Sequence, residues 1–140
     1  MQILENISLK EYNTFGIDVN ARYFIRVRTI DELKLALSSE KHPNKFVVGG
    51  GSNMLLTKDL DALVIHLDLK GIFLVSEDED HVLVKAHAGE TWQDFVLWCL
   101  NHDYGGIENL SLIPGNVGAA PIQNIGAYGV ELKDSFLECS

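Results

Sequence analysis

At 140 residues with 46% apolar side chains, the chain can build one domain or two small ones, and no uncharged apolar run is long enough to span a bilayer. With 20 acidic against 11 basic residues it carries a formal charge of −9, and the absence of a basic patch argues against nucleic acid as a partner. A phosphate-bearing ligand would then have to be held by backbone N–H groups rather than by a field of Lys and Arg.

The opening stretch, MQILENISLKEYN, has no apolar block of signal-peptide length, and its reading is that of a soluble, cytoplasmic chain with no membrane partner. Asn13, which ends that stretch, and Thr14 could cap or approach a cofactor, but are read as a local turn. Residues 23–28, YFIRVR, alternate like a strand. A capping-box pattern, Thr29 to Glu32, opens an amphipathic helix carrying Leu33, Leu35, Ala36 and Leu37, with Pro43 beyond its end. KFVVGGGSNMLL reads as a buried strand entering a glycine loop, and residues 62–67, ALVIHL, as a second buried strand. Together these make a small α/β unit over residues 20–68.

The order restarts near Lys70-Gly71. Residues 71–89 read as a hairpin with an acidic, solvated turn at 77–80 and an alternating strand over 82–88. Thr91 is expected to cap a helix with Trp92, Phe95, Val96, Cys99 and Leu100 on one face, ended by Tyr104 and Gly105-Gly106. The boundary is set at residue 70, giving units 1–70 and 71–140. Cys99 falls in the apolar helix face and is expected to be buried and inert, while Cys139 is one residue from the last. Two such thiols suggest neither a disulfide framework nor a metal site and fit a reducing compartment. The histidines at 42, 66, 81, 87 and 102 show no ligand spacing and are assigned to surface or strand positions.

Two glycine loops remain. Residues 47–56, VVGGGSNMLL, follow a buried strand, and the triplet Gly49, Gly50, Gly51 permits a tight turn with amides near a ligand. This is not a phosphate-binding P-loop, because no Lys-Ser/Thr pair follows, and not a dinucleotide fingerprint, because Met54 stands where a third glycine is needed. A tight turn without a ligand remains an equal reading. Residues 113–129, IPGNVGAAPIQNIGAYG, hold four glycines, three alanines, two prolines and no charge. Such a stretch is a poor core builder, and it calls for a partner to satisfy its backbone groups.

NTFGID at 13–18, VVGGGSNML at 47–55, GIENL at 106–110 and LIPGNVGAAPIQNIGAYGVEL at 112–132 resemble, in order, the UDP-N-acetylenolpyruvoylglucosamine reductase family. The resemblance implies an α+β fold of the vanillyl-alcohol-oxidase type, with FAD between a small α/β subdomain and an α+β subdomain. It implies reduction of an enolpyruvyl ether on a UDP-sugar to UDP-N-acetylmuramate in peptidoglycan synthesis, with NADPH as hydride donor through FAD. Gly49, Gly50, Gly51, Ser52, Asn53 and Met54 would hold the pyrophosphate. Pro114, Gly115, Gly118, Ala119, Ile122 and Gln123 would line the flavin and its ribityl-adenosine side, Gln123 meeting the pyrimidine edge. Tyr128 would face the UDP-sugar, or else pack on the sheet.

Family members are longer, and their arginine beside the flavin, proton-donating serine and late glutamate lie beyond these 140 residues. The expectation is therefore the FAD-binding part of the reductase, truncated before the substrate domain, with no catalytic residue of its own, inactive alone and prone to self-association. A non-catalytic domain that binds FAD or a nucleotide sugar is the alternative from another class, and a related flavin oxidase is disfavoured because neither loop offers a His or Cys for covalent attachment.

Overall fold

The computed structural model describes residues 2–140 and divides the chain into two compact units, Met1–Leu69 and Lys70–Ser140. In the first, strand β1 (Leu4–Ser8), strand β2 (Asn20–Val27), helix α1 (Ile30–Leu37), strand β3 (Lys45–Val48) and strand β4 (Leu60–Leu67) form a four-stranded sheet in the order β1-β2-β4-β3. β2, β4 and β3 run parallel, and β1 pairs antiparallel on the outer edge of β2. β4 is central. Its Leu63, Val64 and Ile65 are fully buried, as a parallel strand covered on both faces requires. On one face Ile25, Val27, Leu63 and Ile65 pack on Ala36 of α1. On the other, Phe24, Val48 and Val64 meet Leu9, Val19 and Leu56 from the loops.

The α1 cap forms in a shifted version. The Thr29 hydroxyl accepts from the Glu32 amide at 3.1 Å, while the Glu32 carboxylate accepts from the amide of Arg28, one residue before the cap, at 2.8 Å. β1 carries no clean apolar alternation and was not anticipated. Its partner β2 begins at Asn20 rather than 23. His42 is neither on the surface nor in a strand: it lies in the α1–β3 connection, 6% exposed, with its ring 4.4 Å from that of Tyr23.

The second unit opens with the hairpin β5 (Ile72–Glu77) and β6 (Val82–Ala86), whose acidic turn is exposed as expected. Backbone N–H groups of Asp80 and His81 both donate to Asp78, holding its carboxyl below the usual range. Helix α2 (Trp92–Asn101) follows. Trp92, Val96 and Cys99 are buried, but Leu100, assigned to the same face, is 43% exposed because it lies in the last turn beyond the packed stripe. Thr91 occupies the cap position without a side-chain cap bond. Nor do the glycines end the helix. Asp103 takes the left-handed conformation at φ 59°, with Asp103 N–H on Leu100 O and Tyr104 N–H on Cys99 O, a Schellman closure.

The uncharged stretch folds into a short helix α3 (Ala120–Gln123) and the strand β7 (Gly126–Ala127), which pairs with β8 (Val130–Glu131) just beyond it, and one of its residues, Ala120, is buried in the core. Ala120 is buried with Trp92, Val96, Cys99 and Leu110, and Ile113, Val117, Ile125 and Ala127 pack against them. Small residues succeed here because the large Trp92 indole supplies the volume. Its Nε1–H, which needs an acceptor when buried, donates to Leu110 O at 2.8 Å.

Candidate functional site

The residues singled out in the sequence fall into one group in each unit. In the first, β3 delivers the chain into Gly49–Met54, an irregular loop that no helix follows. Gly51 turns it at φ +65° and is buried, and a Cβ there would stand 2.0 Å from the carbonyl oxygen of Tyr12, so only glycine fits. Gly50 and Asn53 are exposed, and Met54 packs against the core beneath them. The amides of Gly50, Gly51, Ser52 and Asn53 donate no hydrogen bond among the described residues. No carboxylate occurs between Gly49 and Lys58. Four successive amides without an acceptor, in a loop free of negative charge, leave backbone donors available to an anion.

In the second unit, Pro114, Gly115, Ala119 and Gln123 come together around a small pocket completed by Trp92, Asn116, Ala120 and Ile125. Ile122 is not part of it and stands 87% exposed. Gly118 has a structural reason for lacking a side chain, since a Cβ would lie 2.6 Å from that of Ala88. This loop is stitched to the turn before α2. Val117 N–H donates to Glu90 O at 2.8 Å, Gly118 N–H to Ala88 O at 3.0 Å, and Trp92 N–H to Gly115 O at 2.9 Å. The Asn116 side chain reaches Gly89 O. The Gln93 carboxamide accepts from Leu112 N–H and the Ser111 hydroxyl.

The turn is itself tied down, by Glu90 accepting from Gly71 N–H and by Lys70 donating to Gly89 O. Gln93 and Glu90 were not legible as supports, because a polar side chain on a helix or turn carries no mark of a bond made to a loop some 20 residues away. Tyr128 sits at the tip of the β7–β8 hairpin, 90% exposed, with φ +53° followed by Gly129 at +80°. It is not packed on a sheet.

Each unit thus carries one glycine-rich loop without charge, the first with open amides and the second lining a small pocket. A family model described as FAD binding domain matches residues 21–139.

This chain belongs to the FAD binding domain family.

FAD is accordingly its cofactor. Over all 140 residues it is 60% identical to the UDP-N-acetylenolpyruvoylglucosamine reductase of Flavobacterium johnsoniae, covering 42% of that protein. It is 54% identical over 138 residues to the reductase of the same name from Pseudomonas aeruginosa, covering 97% of this chain and 41% of that one. In three dimensions it is similar to the UDP-N-acetylenolpyruvylglucosamine reductase (MurB) of Thermus caldophilus, with a TM-score of 0.74, 28% identity, and coverage of 96% of this chain and 46% of the other. The chain thus spans less than half the length of the relatives it matches. Among the described residues no helix is long and apolar enough to cross a membrane.

Proposed function

We propose that this chain is the FAD-binding part of an NADPH-dependent reductase that converts UDP-N-acetylglucosamine enolpyruvate to UDP-N-acetylmuramate in the cytoplasm. The reading is carried by one structural observation, the row of free amides from Gly50 to Asn53 in a loop without acidic side chains. The substrate class comes from the name shared by relatives at 60% and 54% identity.

In this reading Gly49, Gly50, Gly51, Ser52, Asn53 and Met54 hold the pyrophosphate. Pro114, Gly115, Gly118, Ala119, Ile122 and Gln123 flank the flavin and its ribityl-adenosine side, with the exposed Gln123 carboxamide free to offer both a donor and an acceptor. Tyr128, exposed on its hairpin tip, meets the UDP-sugar. When bound, FAD supplies the passage of hydride from NADPH to the enolpyruvyl double bond. The chain's own contribution is binding and exclusion of water, since between Leu112 and Val130 the one titratable side chain is Tyr128. Reduction next to a carboxylate also needs a positioned acid and charge stabilisation, which this stretch does not offer. We therefore propose that the chain alone does not turn over. The exposed Leu112, Ile122 and Tyr128 support self-association of the isolated chain, which light scattering across a concentration series measures.

Titration with FAD, followed by quenching of flavin fluorescence, tests the reading. Saturable binding is expected, and its absence overturns the assignment of the loops in this chain. Steady NADPH oxidation dependent on the UDP-enolpyruvyl sugar would overturn the proposal that the chain is inactive alone.

A further inference from the structure

Behind the Gly49–Asn53 loop lies a short stretch that the cofactor reading leaves without a role. Asn13 is one of two buried polar residues among the described residues, 6% exposed. Its carboxamide donates to Leu9 O at 2.7 Å and to Ile17 O at 3.0 Å, and accepts from Ile17 N–H at 3.0 Å. Three of its four hydrogen-bonding positions are therefore used in closing residues 9–17 into a rigid turn. A buried amide so fully engaged is costly to move, because any displacement leaves carbonyls unpaired.

What the turn presents to the glycine loop is backbone. Thr14 N–H donates to Gly51 O at 3.1 Å, and the Thr14 hydroxyl lies 3.4 Å from the same oxygen. The Gly51 Cα sits so close to the Tyr12 carbonyl that no side chain can intervene. The consequence follows from the planar trans peptide, in which C=O and the following N–H point in opposite directions. With Gly51 O fixed toward Thr14, the Ser52 N–H is fixed away from the turn, and it donates to nothing in the chain.

We propose that the Asn13–Thr14 turn is a positioning element for the diphosphate cradle: it clamps the Gly51 carbonyl so that the Ser52 amide, and with it the row from Gly50 to Asn53, is aimed outward before ligand arrives. This rests on the reading of that loop as the FAD diphosphate site. Neither Asn13 nor Thr14 touches the ligand. Their effect is preorganisation, which raises affinity by removing an ordering cost.

Thr14→Pro tests it, because it deletes both donors to Gly51 O, the N–H and the hydroxyl, and keeps the chain length. Asn13, at φ −142° and ψ 142°, already has the extended conformation that a following proline demands. Two readouts separate this inference from the cofactor reading. The first needs no ligand: amide order parameters of Gly50–Asn53 are expected to fall from about 0.85 to below about 0.6 in the variant while β2 and β4 stay rigid. An unchanged loop overturns the inference even if FAD binds normally. The second is FAD affinity, expected to weaken about tenfold, the scale of one or two lost hydrogen bonds, with the affinity for riboflavin, which lacks the diphosphate, unmoved. A disordered loop with unaltered FAD affinity also overturns it, and so does an equal loss for riboflavin. If the unmodified chain binds no FAD, the cofactor reading fails while the order parameters still decide the clamp. Should the variant not fold, hydrogen exchange of the unmodified chain decides: Thr14 N–H is expected to exchange as slowly as the β2 amides, and fast exchange overturns the proposal.

Discussion

The two glycine loops are built from the same kind of residue and use it in opposite ways. Gly51 and Gly118 both lack a side chain because backbone presses against them, Tyr12 in one case and Ala88 in the other. Beyond that they diverge. From Gly50 to Asn53 the amides have no acceptor within the chain, whereas those of Leu112, Val117, Gly118 and Ala119 are all engaged. The first loop leaves a run of amides open, which the proposed function assigns to a ligand. The second commits the amides of Val117, Gly118 and Ala119 to its own fold and leaves those of Ile113, Gly115 and Asn116 without an acceptor among the described residues. Glycine content alone does not show this difference; the destination of the N–H groups does.

Substitution can break that contrast. Gly50→Asp places a carboxylate in the free amide row at an exposed position with no positive φ. Like charge against a diphosphate is expected to weaken FAD by on the order of a hundredfold, read by fluorescence titration, with the urea midpoint unmoved. Gly51→Ala, one residue on, is expected to do the reverse in kind. The added Cβ at φ +65° and 2.0 Å from Tyr12 O should cost roughly 3 kcal/mol of stability in urea unfolding. If both variants lose affinity without losing stability, the packing half of the comparison is wrong.

In the second loop, Gly118→Ala meets the Ala88 Cβ at 2.6 Å without a positive φ, so the expected loss is smaller, about 2 kcal/mol.

These differences mark where the sequence could be read and where it could not. Strand β2, helix α1, the β5–β6 hairpin and helix α2 were legible from their patterning, and β3 and β4 from short continuous apolar runs. β1 was not, because it is a mostly exposed edge strand held by pairing with β2, with no alternating buried face. In the site, the glycine triplet and the uncharged stretch were visible as composition. The supports were not: Asn13 reads as an ordinary turn residue, and its burial and three bonds depend on Leu9 and Ile17 being brought round it. Residues 113–129 add little to the core, as their composition suggests; the exception is Ala120, a small residue buried in the cluster that holds Trp92.

The core beneath the second loop also has a pH signature. Burial pushes the Cys99 thiol from 9.0 up to about 11. The folded state therefore holds the thiol proton more tightly than the unfolded one. That contribution is complete below about pH 9 and is lost as pH rises toward about 11. Denaturation midpoints at pH 8, 9.5 and 11 should fall in the upper interval, and Cys99→Ala should flatten the fall. At pH 8 the exposed Cys139 should be labelled by a thiol reagent at once and Cys99 only on unfolding. A loop that opened the core readily would label both.

The smallest expected effect is a gain. Tyr128 and Gly129, at φ +53° and +80°, form a two-residue hairpin turn whose backbone favours Asn-Gly and disfavours a bulky aromatic. The ring, 90% exposed, recovers nothing by burial. Tyr128→Asn is therefore expected to raise stability by about 0.5 kcal/mol, measurable as a small upward shift in the melting temperature. The tyrosine then stands at a cost to the fold, in the otherwise uncharged segment, with its phenol open to solvent. That is the position of a residue kept for contact with something outside the chain, and it agrees with the proposed role toward the UDP-sugar. A drop in stability on Tyr128→Asn would show that the ring supports the hairpin and would remove this argument for a substrate contact.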